Sequence, residues 1–290
     1  MPRIDLHTHS SASDGLLAPA DLIGRAAAEG LDVIALTDHD TTRGIAAAAG
    51  ALPAGLTLIP GAEISCGLFV EPGRWMSLHI LAYLFDATEP TFAAARAAIR
   101  GGRDDRARAM VDALAADGHA VSWDQVRRLA DGVVGRPHVA AALVEAGLIA
   151  SVAEAFTPDW IGTRGRYWVG KSEPDVLATI QMIAEAGGVS VFAHPFASAR
   201  GEIVGPEVIA TMAAAGLTGL EVDHPDHQPE ERAHLRDLAA EYHLIVTGSS
   251  DFHGATKPQR LGAETTDADQ YGALIAAATG AVPITAPGRS

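Results

Sequence analysis

Short apolar runs, not long amphipathic stripes, mark both ends of the chain. They fall at residues 31–37 (LDVIALT), 56–60 (LTLIP), 77–85 (SLHILAYLF), 188–193 (GVSVFA), 217–222 (LTGLEV) and 244–248 (LIVTG). Runs this short and this aliphatic are those of strands buried on both faces. Alanine-rich segments alternate with them. Residues 19–30 open on Pro19 and close on Gly30, the residues that favour a helix start and stop, and helices are predicted again to Gly50 and over 173–186, 206–215 and 229–242. Repeated strand–helix units predict parallel strands joined by right-handed crossovers. The rhythm stops at Thr88-Glu89-Pro90. From there to Lys171 the pattern is helical, over 92–117, 122–130 and 137–146, with glycines and prolines between. The expectation is an α/β unit built from 1–89 and 172–290, with 90–171 as an inserted helical subdomain.

Polar residues are placed unevenly on this pattern. His7 and His9 alternate along the first strand and so share one face. Nearly every later apolar run hands off to, or carries, a His, Asp or Glu: His39, Glu63, His79, His194, His224, Asp251 and His253. In a parallel barrel those ends share one face, where active sites are built. A lone histidine such as His79 fits an ordinary hydrogen-bonded core residue; the same bias at seven strand ends does not. Buried charges need a partner or a metal, and few basic residues stand at these ends. A thiolate-free His/Asp/Glu set suits Mn²⁺, Fe²⁺ or Zn²⁺ better than Mg²⁺. There are too many donors for one ion, so two or three divalent ions are expected, with Glu63 bridging. Clustered ions are the usual device for phosphoryl hydrolysis.

Composition narrows the function classes. The chain has 290 residues, a net charge of −15 and a single cysteine, Cys66, expected in the core. No apolar run is long enough to span a membrane and no export signal is read, so the expected location is the cytoplasm. The acidic charge argues against coating long nucleic acid. Residues 96–171 nonetheless carry 11 basic against 9 acidic side chains, while the remainder carries 10 against 27. A mildly basic insert over an acidic, metal-rich body suits an anionic substrate. No Gly-rich phosphate loop, serine elbow or CxxC pair supports a covalent or cofactor-dependent route.

Asp5-Leu6-His7-Thr8-His9-Ser10, Ser13-Asp14-Gly15, Leu36-Thr37-Asp38-His39-Asp40, Gly61-Ala62-Glu63-Ile64, His79, Ala193-His194-Pro195 and Gly248-Ser249-Ser250-Asp251-Phe252-His253 together resemble the PHP (polymerase and histidinol phosphatase) family of metal-dependent phosphoesterases. The resemblance implies a distorted (β/α)7 TIM-like barrel, the PHP fold. It also implies a trinuclear metal centre, with manganese the first expectation. One ion would take His7, His9, Glu63 and Asp251, a second Asp14, His39 and His253, and a third Glu63, His79 and His194. The helical insert with Gly135-Arg136-Pro137-His138 resembles stand-alone bacterial 3′,5′-nucleoside bisphosphate phosphatases. Their relatives trim short oligonucleotides from the 5′ end.

Arg136 and Lys171 are then candidates for holding the non-reacting 5′-phosphate, and His138 for a supporting donor. Arg164, Arg166, Tyr167 and Trp168 are read either as a loop closing on a base or as an anchor for the insert. His224 and Asp223, outside the ligand set, are candidate proton donors to the leaving 3′-oxygen, and His224 equally a substrate hydrogen-bond donor. His194 is expected to be catalytic through its metal. The leading expectation is a phosphomonoesterase acting on adenosine 3′,5′-bisphosphate and similar small nucleotides. A 5′-to-3′ exonuclease on short oligonucleotides and a non-catalytic PHP binding module are the alternatives. The oligomeric state is left open.

Overall fold

The computed structural model describes residues 1–71, 73–130, 134–170, 173–198, 202–254 and 259–286. Seven strands form one sheet in chain order: β1 (Ile4–Asp5), β2 (Val33–Leu36), β3 (Thr57–Glu71), β4 (Arg74–Tyr83), β5 (Val189–Phe192), β6 (Gly219–Asp223) and β7 (Ile245–Gly248). Just beyond β1 and β7, Thr8 pairs with Phe252 in parallel, and the His9 N–H donates to the Phe252 carbonyl at 2.9 Å. That contact brings the sheet round into a nearly closed barrel. A short eighth strand, β8 (Ile284–Thr285), lies antiparallel on the start of β3.

Around the barrel run α1 (Pro19–Ala28), α2 (Ile45–Gly50), α3 (Pro90–Ala116), α4 (Trp123–Leu129), α5 (Arg136–Glu145), α6 (Val176–Glu185), α7 (Pro206–Ala214), α8 (Pro229–Glu241) and α9 (Ala268–Ala277). Helix starts follow local chemistry. Glu89 accepts the N–H groups of Thr91 and Phe92 ahead of α3, and Asp175 accepts those of Leu177 and Ala178 ahead of α6. Pro19, Pro90, Pro206 and Pro229 each occupy a first turn, where a missing N–H costs nothing.

One expectation about the strands is corrected. The third strand does not stop at Pro60; it runs on to Glu71 and turns back directly into β4, which is antiparallel to both β3 and β5. Ten register pairs, from Gly61↔Tyr83 to Glu71↔Arg74, join this long hairpin. Glu63 and His79 are therefore residues within strands, not at their C-terminal ends. The reversal also changes where the insert begins. β4 delivers the chain to the far face of the barrel, and α3 runs back up its side, 27 residues or about 40 Å long.

Side chains alternate about the sheet as a period of two requires. Ile4, Leu6, Val33, Ala35, Ile59, Leu81, Tyr83, Val189 and Val191 fill the barrel interior. Ala62, Ile64, Cys66, Ile80 and Ala82 face outward onto α6 and α7. Cys66 is fully buried, as expected. A separate core of Ala107, Met110, Leu114, Val126, Leu143, Ile161 and Tyr167 lies wholly within the insert. The start of α3, through Phe92 and Ile99, packs into the barrel's outer layer instead. No described helix is long and apolar enough to cross a membrane.

Tyr83 spans the barrel interior, its hydroxyl donating to the Leu6 carbonyl at 2.7 Å. Tyr83→Phe removes that donor and strands a buried carbonyl. It is expected to cost about 1–3 kcal/mol, read as a lower urea midpoint at unchanged secondary structure.

Candidate metal centre

Glu63 is the hub. Its side chain is buried, and its two oxygens face different histidines. Oε2 lies 3.3 Å from His7 Nε2, 3.1 Å from His9 Nε2 and 3.2 Å from His39 Nδ1. Oε1 lies 2.7 Å from His79 Nδ1 and 3.1 Å from His194 Nε2. Asp251 Oδ1 stands 3.5 Å from the Nε2 atoms of both His7 and His9 and 3.4 Å from His253 Nδ1. Asp14 reaches His253 Nε2 at 3.4 Å, His39 Nε2 at 3.6 Å and His9 Nδ1 at 3.6 Å. The nine residues named as ligands from the sequence thus meet in one cluster, although they come from seven separate segments.

Three groups of donors each gather within 4.8 Å: His9, Asp14, His39 and His253; His7, His9 and Glu63; His39, Glu63 and His79. The groups share His9, His39 and Glu63, so the cluster is laid out for more than one cation. Ring tautomers point the same way. His7 Nδ1 donates to Glu221 Oε1 at 2.9 Å, which turns its Nε2 inward, toward the cluster. That nitrogen faces His9 Nε2 at 3.0 Å, as two ligands of one cation would. His253 Nδ1 donates to the Asp251 carbonyl at 2.9 Å, which directs its Nε2 at Asp14. His39 Nδ1 is buried without a hydrogen bond. The donor set fits divalent metal.

Electrostatics record the crowding. Burial works against charging His7, but Glu221, Glu63 and Asp251 overcome it and hold its pKa well above the ordinary range. His9, equally buried, is raised to about 9 by Asp251 and Glu63. Burial, opposed only in part by Glu63 and Asp14, pushes His39 well below the usual value. Burial would raise the Glu63 carboxyl, yet His39, His79 and His7 hold it far below the carboxylate range.

The strand ends aim these groups by unusual backbone. His194 and Asp251, following β5 and β7, have φ of 33° and 48°, and Asp40 after His39 has 56°. Left-handed backbone is costly for such residues and needs outside support. For His194 the support is Glu221, whose Oε2 accepts the His194 N–H at 2.7 Å. Glu221 also takes His7 Nδ1 and the Ser249 hydroxyl, and it is fully buried. Sequence reasoning missed it, although an acid inside the run LTGLEV was the available signal. Asp223, two residues on, does not join the cluster. A register shift between Glu221 and Asp223 turns it outward, where Arg236 Nη2 holds both its oxygens at 2.6 Å.

His224 does reach the centre. Its Nδ1 accepts the Asp226 N–H at 3.0 Å, so Nε2 carries the proton, pointing at Asp251 Oδ2 at 3.5 Å with no hydrogen bond made. His227 beside it is fully occupied between the Val222 carbonyl and the Phe196 N–H.

Over this face the insert supplies cations. Arg136, stacked on Phe156 at 5.2 Å, and His138, whose Nδ1 accepts the Gly135 N–H, sit at the start of α5. Two arginines of α3 that the sequence reading left unassigned join them. Arg103 Nε lies 2.7 Å from Asp40 Oδ2, and Arg106 Nε donates to the Val169 carbonyl at 2.7 Å. Burial, then Arg136, push Arg106 down to about 10, and burial, then Arg103, lower Arg136. Lys171 lies outside the described residues. Tyr167 is buried and bonded to Asp117 at 2.8 Å, with Arg166 on the same carboxylate, which fits the anchoring role of that loop. A cavity of about 190 Å³, walled by Leu78, Phe192, Pro195 and Val204, opens beside His79 and His194.

Comparison with known proteins gives a consistent picture. A profile of the PHP domain matches residues 5–98. A 3′,5′-nucleoside bisphosphate phosphatase of Chromobacterium violaceum is 37% identical over 261 residues, covering 87% of this chain and 88% of that one. A 5′-3′ exoribonuclease of Haemophilus influenzae is 36% identical over 255 residues, covering 87% and 90%. The crystal structure of a candidate metal-dependent phosphoesterase from Bifidobacterium adolescentis superposes with a TM-score of 0.86 at 34% identity, over 95% and 96% of the two chains.

Two outcomes are expected. Glu221→Gln keeps the side chain's size but loses the charge behind His7, and should weaken metal binding roughly 10–100-fold in a metal titration. Because His7 and His9 hold protons in the metal-free protein, metal uptake near pH 7.5 should release protons. Metal affinity should accordingly rise with pH towards about 9, the value to which His9 is raised. Calorimetry in buffers of different ionisation enthalpy measures that release.

Proposed function

The chain belongs to the PHP family of metal-dependent phosphoesterases and is a hydrolase of phosphoric ester bonds; from that premise we propose that it removes the 3′-phosphate from nucleoside 3′,5′-bisphosphates such as adenosine 3′,5′-bisphosphate. The observation that carries this reading is two sites side by side. One is the carboxylate–histidine cluster around Glu63, which would take a phosphate through the cations it holds. The other is the group of Arg103, Arg106 and Arg136 on the insert, whose mutual repulsion a bound phosphate would relieve. Two anion sites suit a substrate with two phosphates.

His7, His9, Glu63 and Asp251 would hold one ion, Asp14, His39 and His253 a second, and Glu63, His79 and His194 a third, with Mn²⁺ ahead of Fe²⁺ or Zn²⁺. Such ions, when bound, supply a lowered pKa for attacking water and a countercharge for the phosphate oxygens. The protein's own groups do the rest. Arg136 and Arg103 hold the 5′-phosphate, and with it the distance from ribose to the cluster. His138, bonded through Nδ1, presents its Nε2–H toward the same anion. His224 Nε2–H, buried and without an acceptor, is the group available to the leaving 3′-oxygen or to a phosphate oxygen. Asp223, tied to Arg236, instead fixes α8 against β6. The cavity beside His194, with Leu78, Phe192 and Pro195 on one side and Ser77 and Glu202 on the other, is the space for the nucleoside in this reading.

Residues 1–89 and 172–290 act in this reading as the metal-binding barrel and 90–171 as the cap that brings the second anion site. The single buried cysteine suits the cytoplasm. The exonuclease reading shares all of this chemistry and differs in what the reacting phosphorus carries.

The test is phosphate release with Mn²⁺ from adenosine 3′,5′-bisphosphate, AMP and a 5′-phosphorylated trinucleotide. Release from the bisphosphate should fall roughly 10–100-fold in kcat/KM for Arg136→Ala, mostly through KM, the loss of one charge-assisted contact. His194→Ala and chelation by EDTA should abolish it. Equal release from AMP, which has no 3′-phosphate, would sink the reading.

A further inference from the structure

The three arginines of the second anion site are not held alike. Arg103 Nε lies 2.7 Å from Asp40 Oδ2, its Nη2 donates to the Ser65 hydroxyl, and that hydroxyl donates in turn to Asp40 Oδ2 at 3.1 Å. Among the described residues, no carboxylate comes within ion-pair distance of Arg106 or Arg136, and the Arg106 Nε is occupied by the Val169 carbonyl. Glu173 acts on all three through space, its Oε2 accepting from the Ser77 hydroxyl at 2.6 Å and the Trp75 indole N–H at 3.4 Å. Burial opposes the charge of Arg103, yet Asp40 raises its pKa; burial, then like charge, lowers those of Arg106 and Arg136.

Asp40 is aimed by the barrel, not by the insert. It is fully buried and sits at φ 56°, a region that aspartate and asparagine enter more readily than most residues. Its N–H donates to the Glu63 carbonyl at 2.9 Å, and its Oδ1 accepts the Ser65 N–H at 2.7 Å. Both bonds are to β3. Neither needs a charge, since a backbone N–H and a side-chain carbonyl oxygen would make them equally well. The charge of Asp40 has its counterpart in Arg103.

The other edge of that guanidinium faces the cap. Arg103 Nη1 would stand 4.0 Å from a Cβ placed on Gly135, at the start of α5, which carries Arg136 and His138. Arg103 therefore bridges two places, with one edge on the barrel beside His39 and the other at the second anion site.

We propose that Asp40 is a positioning residue for substrate selection: it fixes Arg103 beside Arg106 and Arg136, and so sets the preference for a nucleoside 3′,5′-bisphosphate over the 3′-monophosphate of the same nucleoside. The proposal rests on the reading of those arginines as the 5′-phosphate site and names the residue that acts on it from outside the insert. Asp40 itself does not touch substrate. An arginine fixed beforehand loses less freedom when phosphate binds. Its planar fork also needs a set orientation to meet two phosphate oxygens at once. Asp40→Asn turns an amide NH2 toward Arg103 Nε and the Ser65 hydroxyl, which sets donor against donor and releases the guanidinium.

The experiment measures kcat/KM with Mn²⁺ on adenosine 3′,5′-bisphosphate and on adenosine 3′-monophosphate for wild type, Asp40→Asn, Arg103→Ala and the double variant. The readout is the ratio of the two values, from which a change in metal content or folded fraction cancels. Asp40→Asn should lower that ratio about tenfold, through KM on the bisphosphate, as loss of one charge-assisted contact does. In the Arg103→Ala background it should lower the ratio no further, because residues that act through one another are not additive. An unchanged ratio in Asp40→Asn, or a full further loss on top of Arg103→Ala, would overturn the assignment and leave the two-site reading in place. A wild type with no preference for the bisphosphate would sink the two-site reading and the assignment with it. If wild type turns over neither substrate, calorimetric binding of inorganic phosphate to the metal-free protein decides. Weaker binding by Asp40→Asn, with no loss beyond that of Arg103→Ala, then supports the assignment, and unchanged binding overturns it. Ser65→Ala removes the hydroxyl that links Asp40 to Arg103 and should shift the ratio the same way; it decides should Asp40→Asn not fold.

Discussion

Five imidazoles converge on the two oxygens of one buried carboxylate, Glu63. Removing so many ionisable groups from water is costly, and much of the surrounding structure offsets that cost by fixed hydrogen bonds. Three further carboxylates without a place among the nine donors stand behind the cluster, each saturated. Asp5 accepts from the Ser250 amide and hydroxyl and the Gly262 amide; Asp38 accepts from Ser10 and Ser13; Glu221 holds His7, His194 and Ser249. These bonds tie the segments after β1, β2, β5 and β7 to one another. The same contacts that aim the donors thus also close the barrel, so geometry at the centre and integrity of the sheet are one constraint.

Eight of the nine donors are legible in the sequence because they interrupt or terminate apolar runs, where a polar residue has no other reason to stand; Asp14, in the polar stretch 10–15, is named only through the family resemblance. The direction of β4 is not legible from its run: seven apolar residues out of nine imply burial on two faces but say nothing of strand direction. The signal lay in Pro72-Gly73, a turn pair between two stretches able to pair as a hairpin. Glu221 and Asp223 have the same parity along β6, and only the register shift between them separates the residue that joins the cluster from the one that faces Arg236. A bulge of this kind depends on the neighbouring strand, which a local pattern cannot report. Arg103 and Arg106 were likewise hidden, since a helix with basic residues all along it does not show which of them meet a distant strand.

Helix α3 joins two environments that are otherwise separate. Its first turns belong to the outer layer of the barrel and its last to the core of the insert, while its middle carries Arg100 and Arg103 across the rim at Asp40. Asp40 receives both, one on its carbonyl and one on its carboxylate, immediately beside His39. Helix α3 is thereby tied at Asp40, and through Arg103 at Ser65, to the strand ends that carry His39 and Glu63.

Closure of the sheet by Thr8 against Phe252 has a consequence for the order in which the molecule is made. The donors lie between His7 and His253, and Asp5 depends on Ser250 and Gly262 for its bonds. A nascent chain that has emerged only as far as β6 holds most of its histidines but neither the last carboxylate nor the contact that brings β1 round to β7. Because domains fold as units once their sequence is available, the cluster assembles only when nearly the whole chain has been synthesised. The pocket for a divalent ion is therefore completed only after β7 and the segment to Gly262 have been made.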